Sequence, residues 1–234
     1  MTSQETSSGV FDGDMGRWYA SHATDSVYNA YYDRPALLDL IGPCRGLRVL
    51  DAGCGAGHYL AELIQRGAEP TGLEGGAELL ASARERLGDA VDLRAHDLEK
   101  PLDFLADASF DGVLLALVYH HIDARAQLLA EIRRVLRPGG WLVLSTFHPT
   151  RSWQLFGGSY FTTGKAETAL LDEWTAPVWR MPLEVLFTEL LTAGFVVEQV
   201  REPRPLPEAA ALNERMYRKL STEPKFLALR LRRP

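Results

Sequence analysis

The chain alternates short apolar runs with stretches in which apolar residues recur every three or four positions. Seven short stretches, most of them apolar, are read as β-strands: residues 47–50, 68–73, 91–95, 113–118, 141–147, 195–200 and 226–231. The longer periodicity predicts helices over residues 58–65, 76–87, 123–136 and 182–193, with Asp123 capping the third. The run 113–118 is apolar at every position, which is typical of a central strand buried on both faces. The alternation predicts an α/β fold built on a mainly parallel sheet.

A glycine-rich turn follows the first predicted strand, in the sequence L-R-V-L-D-A-G-C-G-A-G-H-Y-L at residues 47–60. Glycines permit a tight turn with positive φ and let a ligand approach the backbone closely. The helix that follows offers free N–H groups and a partial positive charge. A dinucleotide site requires G-x-G-x-x-G/A, but the sixth position from Gly53 is the bulky His58. This stretch alone leaves a purely structural turn open.

Two acidic residues follow the next strands. Glu74 lies 21 residues after Gly53, at the end of the second predicted strand, where a carboxylate can accept hydrogen bonds from both ribose hydroxyls. Asp97 follows the third strand, at the edge where open α/β sheets bind ligands. A solvated charge at Glu74 and a turn-capping role for Asp97 are the alternatives.

Taken together and in order, these features resemble the class I S-adenosylmethionine (SAM)-dependent methyltransferases. The resemblance runs from residue 47 to residue 148. It rests on D-x-G-x-G-x-G at 51–57, Glu74, Asp97-Leu98 and E-I-R-R-V-L-R-P-G-G-W-L-V-L-S at 131–145. The later stretches S-T-F-H-P-T, G-G-S-Y-F and W-R-M-P-L look like those of bacterial small-molecule methyltransferases of the type 11 kind.

The resemblance implies a Rossmann-like, seven-stranded, mostly parallel sheet with helices on both faces and an antiparallel last strand. It implies transfer of a methyl group from SAM to an O, N, S or C atom of a small molecule, leaving S-adenosylhomocysteine (SAH). A nicotinamide-dependent oxidoreductase and a SAM-binding protein without catalysis are the alternatives. The expected cofactor-binding residues are Tyr28, Tyr32, Asp51, Ala52, Gly53, Cys54, Gly55, Gly57, Glu74, Gly75, Asp97, Leu98 and Leu115.

The acceptor side is predicted from residues near the ends of later strands. The candidate catalytic residues are His120, His121 and His148, with His148 expected between cofactor and acceptor. A base is needed only if the acceptor is a protonated O–H or N–H group, and a packed structural role is open for each histidine. No metal-ligand spacing is visible, because His120 and His121 are adjacent and would point to opposite sides of a strand. The candidate substrate-binding residues are Tyr119, Tyr160, Trp174 and Trp179.

Composition bounds the remaining choices. We expect a single methyltransferase domain over residues 1–234, with a disordered start and an aromatic flap within 1–34 and an aperiodic acceptor-side lid inserted at 149–181. The net charge of −6 disfavours an extended nucleic acid as partner. The chain carries no membrane-length apolar run and no signal-peptide pattern, and it has two cysteines, Cys44 and Cys54. We therefore expect a cytoplasmic protein without a membrane partner, and the oligomeric state stays open.

Overall fold

The computed structural model describes residues 11, 13–171 and 174–234. Its fold is built on a central sheet of seven strands. The strand order is β3–β2–β1–β4–β5–β9–β8. The strands are β1 (Arg48–Ala52), β2 (Glu69–Glu74), β3 (Asp92–Ala95), β4 (Phe110–Ala116), β5 (Leu136–Phe147), β8 (Val196–Arg201) and β9 (Phe226–Arg232). Strands β1 to β5 pair in parallel, whereas β9 runs antiparallel to both of its neighbours, β5 and β8. The predicted seven-stranded sheet with an antiparallel last strand is confirmed.

Helices cover both faces of this sheet. They are α1 (Gly13–Asp25), a π-helix (Asn29–Asp33), α2 (Arg34–Ile41), α3 (His58–Gln65), α4 (Ala77–Leu87), α5 (Arg125–Val135), α6 (Pro149–Phe156), α7 (Leu183–Thr192), α8 (Ala209–Leu212) and α9 (Glu214–Thr222). Successive residues of a strand point to opposite faces, so Leu50 packs with α5 and α7 while Val49 packs with α2 and α3. No helix among the described residues is long and apolar enough to cross a membrane.

The third predicted helix starts later than expected, and its predicted cap is wrong. Helix α5 begins at Arg125, and Asp123 makes no capping bond. The Glu99 carboxylate accepts hydrogen bonds from the backbone N–H groups of Asp123 and Ala124, each at 2.8 Å. The Asp123 carboxylate is therefore free to bind Lys165 and Trp179 instead. Glu99, which is distant in sequence, therefore takes the capping role that was predicted for Asp123.

The predicted aperiodic loop at 149–181 is also wrong. Its first part is the helix α6, and its second part is a two-stranded antiparallel hairpin of β6 (Gly164–Leu171) and β7 (Trp174–Arg180), separate from the main sheet. Small inward-facing residues such as Thr168, Ala176 and Val178 are buried in this hairpin. The predicted disordered start falls mostly outside the described residues, which include Phe11 and then run on from Gly13, the first residue of α1.

Candidate active site

A cavity with a volume of about 270 Å³ opens at the carboxyl edge of the parallel strands. Its wall includes the residues that follow β1, β2, β3 and β4, together with the last residue of β5 and the first residue of the antiparallel β9. Helix α1 and Phe11 contribute a further part of the wall. The sequence-predicted residues that line the cavity are Tyr28, Gly53, Gly55, Glu74, Gly75, Asp97, Leu98, His120 and His121. This is the edge at which open α/β sheets place ligands.

The glycine turn presents its backbone to the cavity. The N–H groups of Gly53 and Cys54 both donate to the Leu73 carbonyl, at 2.8 and 2.9 Å, which ties the turn to β2. Gly53 has φ of +89°, and a Cβ there would lie 2.5 Å from a methyl group of Val118. Gly55 also has positive φ, but nothing lies within 4 Å of where its Cβ would be. The first glycine is required by close packing, and the second leaves an open cradle beside the turn.

Glu74 is held rigidly on the cavity wall. Its carboxylate accepts hydrogen bonds from the Gly55 N–H at 2.7 Å and from the Gly76 N–H at 2.8 Å. The residue is only 8% exposed. One carboxylate thus joins the glycine turn to the start of α4. Its position beside the cavity suits a charged acceptor for ligand hydroxyl groups.

Asp97 and Leu98 form the neighbouring part of the wall. The Asp97 carboxylate accepts a hydrogen bond from the Glu99 N–H at 3.1 Å, which closes a local turn. The turn-capping role and a place on the cavity wall therefore coexist in this residue. Leu98 is buried in the main core and also lines the cavity.

Six of the predicted cofactor residues do not line the cavity: Tyr32, Asp51, Ala52, Cys54, Gly57 and Leu115. The side chains of Ala52 and Leu115 belong to the core beneath the sheet. Cys54 packs with Leu60 and Val91, and Gly57 is the N-cap of α3, next to Leu87. The Tyr32 hydroxyl accepts a hydrogen bond from the Lys225 N–H at 2.9 Å. These six positions lie outside the cavity wall, and their contact with a cofactor stays a prediction.

Asp51 is a buried carboxyl at the end of β1. It is fully buried, and among the described residues neither of its carboxyl oxygens has a hydrogen-bond partner. Burial raises the pKa of Asp51 to about 8, and the negative charge of Glu74 adds to this effect. Burial therefore favours the protonated form of the Asp51 carboxyl.

The two adjacent histidines both face the cavity, contrary to the expectation that they point to opposite sides. Strand β4 ends at Ala116, and residues Tyr119–His121 form a 3₁₀ turn rather than a strand. The His121 Nδ1 lies 2.9 Å from the Pro177 carbonyl, which only accepts, so Nδ1 carries the proton and Nε2 keeps its lone pair. Burial lowers the pKa of His121. The neutral imidazole can therefore accept a proton from a bound group.

His120 is packed more tightly than His121. Its ring stacks on Phe147 with centroids 4.0 Å apart, and its Nδ1 lies 3.2 Å from the Thr146 hydroxyl. Burial lowers the pKa of His120 well below its usual value, with further effects from His121 and Arg151. This histidine is neutral and serves as an apolar wall of the cavity.

His148 does not line this cavity, although it was predicted between cofactor and acceptor. Pro149 occupies the first turn of α6, and His148 becomes the N-cap, accepting a hydrogen bond from the Thr150 N–H at 3.1 Å. Its other ring nitrogen lies 3.2 Å from the carboxylate of Glu202. The side chain is used to start the helix, and burial lowers its pKa.

The predicted substrate-binding residues are also outside the cavity wall. The Tyr119 hydroxyl donates to Glu189 at 2.5 Å, and the Trp179 indole donates to Asp123 at 2.7 Å. The Tyr160 hydroxyl accepts from the Leu183 N–H at 3.1 Å. Trp174 reaches the site only indirectly, with its ring centroid 5.7 Å from that of Trp18. The wall also includes Phe11, Phe147, Arg151 and Phe226, which the sequence did not single out, and Tyr19, His22 and Asn29 from the predicted flap.

Comparison with known proteins identifies the class of fold. A family model described as "Methyltransferase domain" matches residues 50–144. An uncharacterized methyltransferase of Mycobacterium tuberculosis is 38% identical over 110 residues, which are 47% of this chain and 44% of that protein. Malonyl-[acyl-carrier protein] O-methyltransferase of Pectobacterium atrosepticum is 32% identical over 147 residues, 60% of this chain and 57% of that protein. The chain therefore spans about half the length of these relatives.

A solved structure extends the likeness to the whole fold. The SAM-dependent methyltransferase from Mesorhizobium loti superposes with a TM-score of 0.76 and 25% identity, covering 90% of this chain and 100% of that one. The glycine turn, Glu74 and Asp97 stand at the carboxyl edge of a fold of this class. Residues 50–144 therefore match a methyltransferase domain, and the whole fold is similar to that of a SAM-dependent methyltransferase.

SAM is the cofactor of this family. The residues of the cavity wall fit SAM. An open cradle beside Gly55, a fixed carboxylate at Glu74 and a second carboxylate at Asp97 share this wall. Glu74 would hold the ribose, Asp97 with Leu98 the adenine, and Gly53 with Gly55 the methionine end.

Proposed function

We propose that this protein transfers a methyl group from SAM to a small-molecule acceptor and releases SAH. The observation that supports this most is the composition of a single cavity. Gly55, Glu74 and Asp97 lie on its wall together with a second set of residues, including His121 and Phe147, that no cofactor role explains. The wall of one cavity therefore carries candidate residues for both the cofactor and the acceptor, which supports the proposal.

The protein's contribution is alignment and exclusion of water. When bound, SAM supplies an already activated methyl group, so the surrounding residues need to hold the two reactants in line in a dry site. The Nε2 lone pair of His121 positions an acceptor O–H or N–H group and takes its proton. His120 and Phe147 supply an apolar wall beside it.

Two segments would cover the reactants. Helix α1 places Trp18, Tyr19 and His22 on the cavity wall, and Phe11 packs edge-on against His121 with centroids 5.5 Å apart. The hairpin of β6 and β7 approaches from the other side, through Ala169 on the wall and the Pro177 carbonyl on His121. We propose these as the flap and the lid of a single methyltransferase domain, with a small acceptor and no extended nucleic acid as partner.

An acceptor screen tests the proposal. The full chain is incubated with SAM and a panel of small O-, N-, S- and C-nucleophiles, and SAH release is measured against an acceptor-free reaction. We expect acceptor-dependent release of SAH. If SAM binds but no acceptor in the panel raises SAH release, the protein is better described as a SAM-binding protein without catalysis.

A further inference from the structure

Arg151 is a charged side chain on the cavity wall that the proposed reaction has not used. It lies in the first turn of α6, directly after β5 ends. Its guanidinium carbon is 3.8 Å from the centroid of Phe147, 5.3 Å from that of Phe226 and 5.7 Å from that of Tyr28. Three aromatic rings therefore hold the cation in place by cation–π contacts.

Arg151 has no anionic partner within the described part of the chain. No hydrogen bond or ion pair to its guanidinium occurs among residues 11, 13–171 and 174–234. Its electrostatic neighbours that favour the charge are the phenols of Tyr28 and Tyr32, not carboxylates. Burial lowers the pKa of Arg151, as expected for a cation taken out of water.

Arg125 shows how this chain treats a similar arginine elsewhere. Its guanidinium also stacks on an aromatic ring, 4.3 Å from the centroid of Trp179. It is in addition paired with both carboxylate oxygens of Glu189, each at 2.9 Å. Arg151 has the aromatic contacts without the carboxylate, so its planar set of N–H donors is available to a ligand.

The carboxylates on the cavity wall do not serve as the anionic partner of Arg151. Glu74 is engaged by the N–H groups of Gly55 and Gly76, and the Asp97 carboxylate accepts from the Glu99 N–H. Neither forms an ion pair with Arg151. The cavity therefore combines carboxylates on the glycine-turn side with a single stacked cation beside Phe147.

We propose that Arg151 binds an oxyanion of the methyl acceptor, and that the acceptor is a small carboxylate with a flat apolar body. The claim rests on the proposed function and names its substrate class. A guanidinium fork binds a carboxylate through two parallel hydrogen bonds. The rings of Phe147, Phe226 and Tyr28 surround the same point and suit the apolar body of such a molecule.

The test uses the full chain saturated with SAH and simple probes in place of the acceptor. Benzoate and phenylacetate are titrated by ligand-detected NMR beside their neutral amides, benzamide and phenylacetamide. Phenyl phosphate is a separate arm that distinguishes a phosphate site from a carboxylate site. The variants are Arg151→Met and Arg151→Lys, and Arg180→Met is the matched control because Arg180 stacks on Phe156 away from the cavity.

We expect the carboxylates to bind the wild type at least about tenfold more tightly than their amides do. This preference should disappear in Arg151→Met, weaken in Arg151→Lys and persist in Arg180→Met. Equal binding of acids and amides, no binding of the acids, or a preference that survives in Arg151→Met would overturn the proposal, and stronger binding of phenyl phosphate would reassign the anion.

SAH affinity and thermal unfolding, measured for every variant, separate this proposal from the one it rests on. If SAH fails to bind the wild type, the proposed function fails. If SAH binds and the acids show no preference, only the role of Arg151 fails.

Discussion

Substitution of Glu74 gives the most specific prediction, because its carboxylate is expected to stabilise the turn and to bind the cofactor. It accepts hydrogen bonds from the N–H groups of Gly55 and Gly76, and it faces the cavity where the ribose of SAM would lie. Glu74→Ala removes both sets of interactions. Hydrogen bonds to a charged group contribute about 1.5–3 kcal/mol each. Loss of two bonds to the ribose hydroxyls therefore lowers the affinity for SAH by about a hundredfold at the lower end of that range.

The same substitution destabilises the ligand-free protein. Two buried N–H groups lose a charged acceptor, which we expect to lower the free energy of unfolding by about 2–3 kcal/mol and the melting temperature by about 5–10 °C. Glu74→Gln keeps the side-chain volume and one accepting oxygen, so it should cost less stability while still losing about tenfold in affinity.

Titration calorimetry with SAH, well below the melting temperature of each variant, measures the effect. Circular dichroism at the same temperature confirms that the variant is folded. Glu85→Ala is the matched control, since Glu85 is an exposed glutamate of the same helix, α4, that the carboxylate of Glu74 helps to start. An SAH dissociation constant in Glu74→Ala within about twofold of the wild type would show that this carboxylate only holds the turn.

Three further predictions follow from the site. His121→Ala should lower turnover of an O–H or N–H acceptor by about 10²–10⁴-fold without changing SAH affinity. His148→Ala should keep turnover and lose about 1 kcal/mol of stability, because the N-cap of α6 is removed. Equal losses of turnover in the two variants would contradict the role of His121 as the base. Amide hydrogen exchange in α1 and in the β6–β7 hairpin should slow when SAH is added, with β1 unchanged, and equal rates in both states would remove the closure proposal. Because the pKa of Asp51 is raised to about 8 in the folded state, wild-type stability should fall as pH rises from about 4 towards 8. In urea titrations, the free energy of unfolding of Asp51→Asn should therefore rise relative to that of the wild type as pH increases. A difference between the two proteins that does not change with pH would refute the raised pKa of Asp51.

The sheet and the cofactor side were predictable from local signals. The helix over 58–65 was predicted with its observed bounds because a glycine turn fixes its start and a regular apolar face runs through it. Glu74 and Asp97 lie on the cavity wall, at the end of β2 and in the loop after β3, the strand ends at which they were predicted, and their roles toward a cofactor stay predictions. Parallel strands then bring these positions to one edge whatever the details of the helices.

The acceptor side depends on contacts that no short stretch reveals. His148 follows a strand end, like the cofactor residues, but the proline after it starts a helix and turns its side chain into a cap. That helix then carries Arg151 to the cavity, a position visible only once α6 is known to follow β5 directly. The hairpin escaped prediction because its buried positions, such as Thr168 and Ala176, are small and only weakly apolar.

The most direct test of the central claim is which nucleotide-type cofactor the cavity binds. Titration calorimetry of the wild-type chain with SAM, SAH and NAD compares the family's cofactor with that of the oxidoreductase alternative. We predict saturable binding of SAM and SAH, weakened together by about a hundredfold in Glu74→Ala, and no heat of binding with NAD. Tight binding of NAD with no response to SAM or SAH would contradict it.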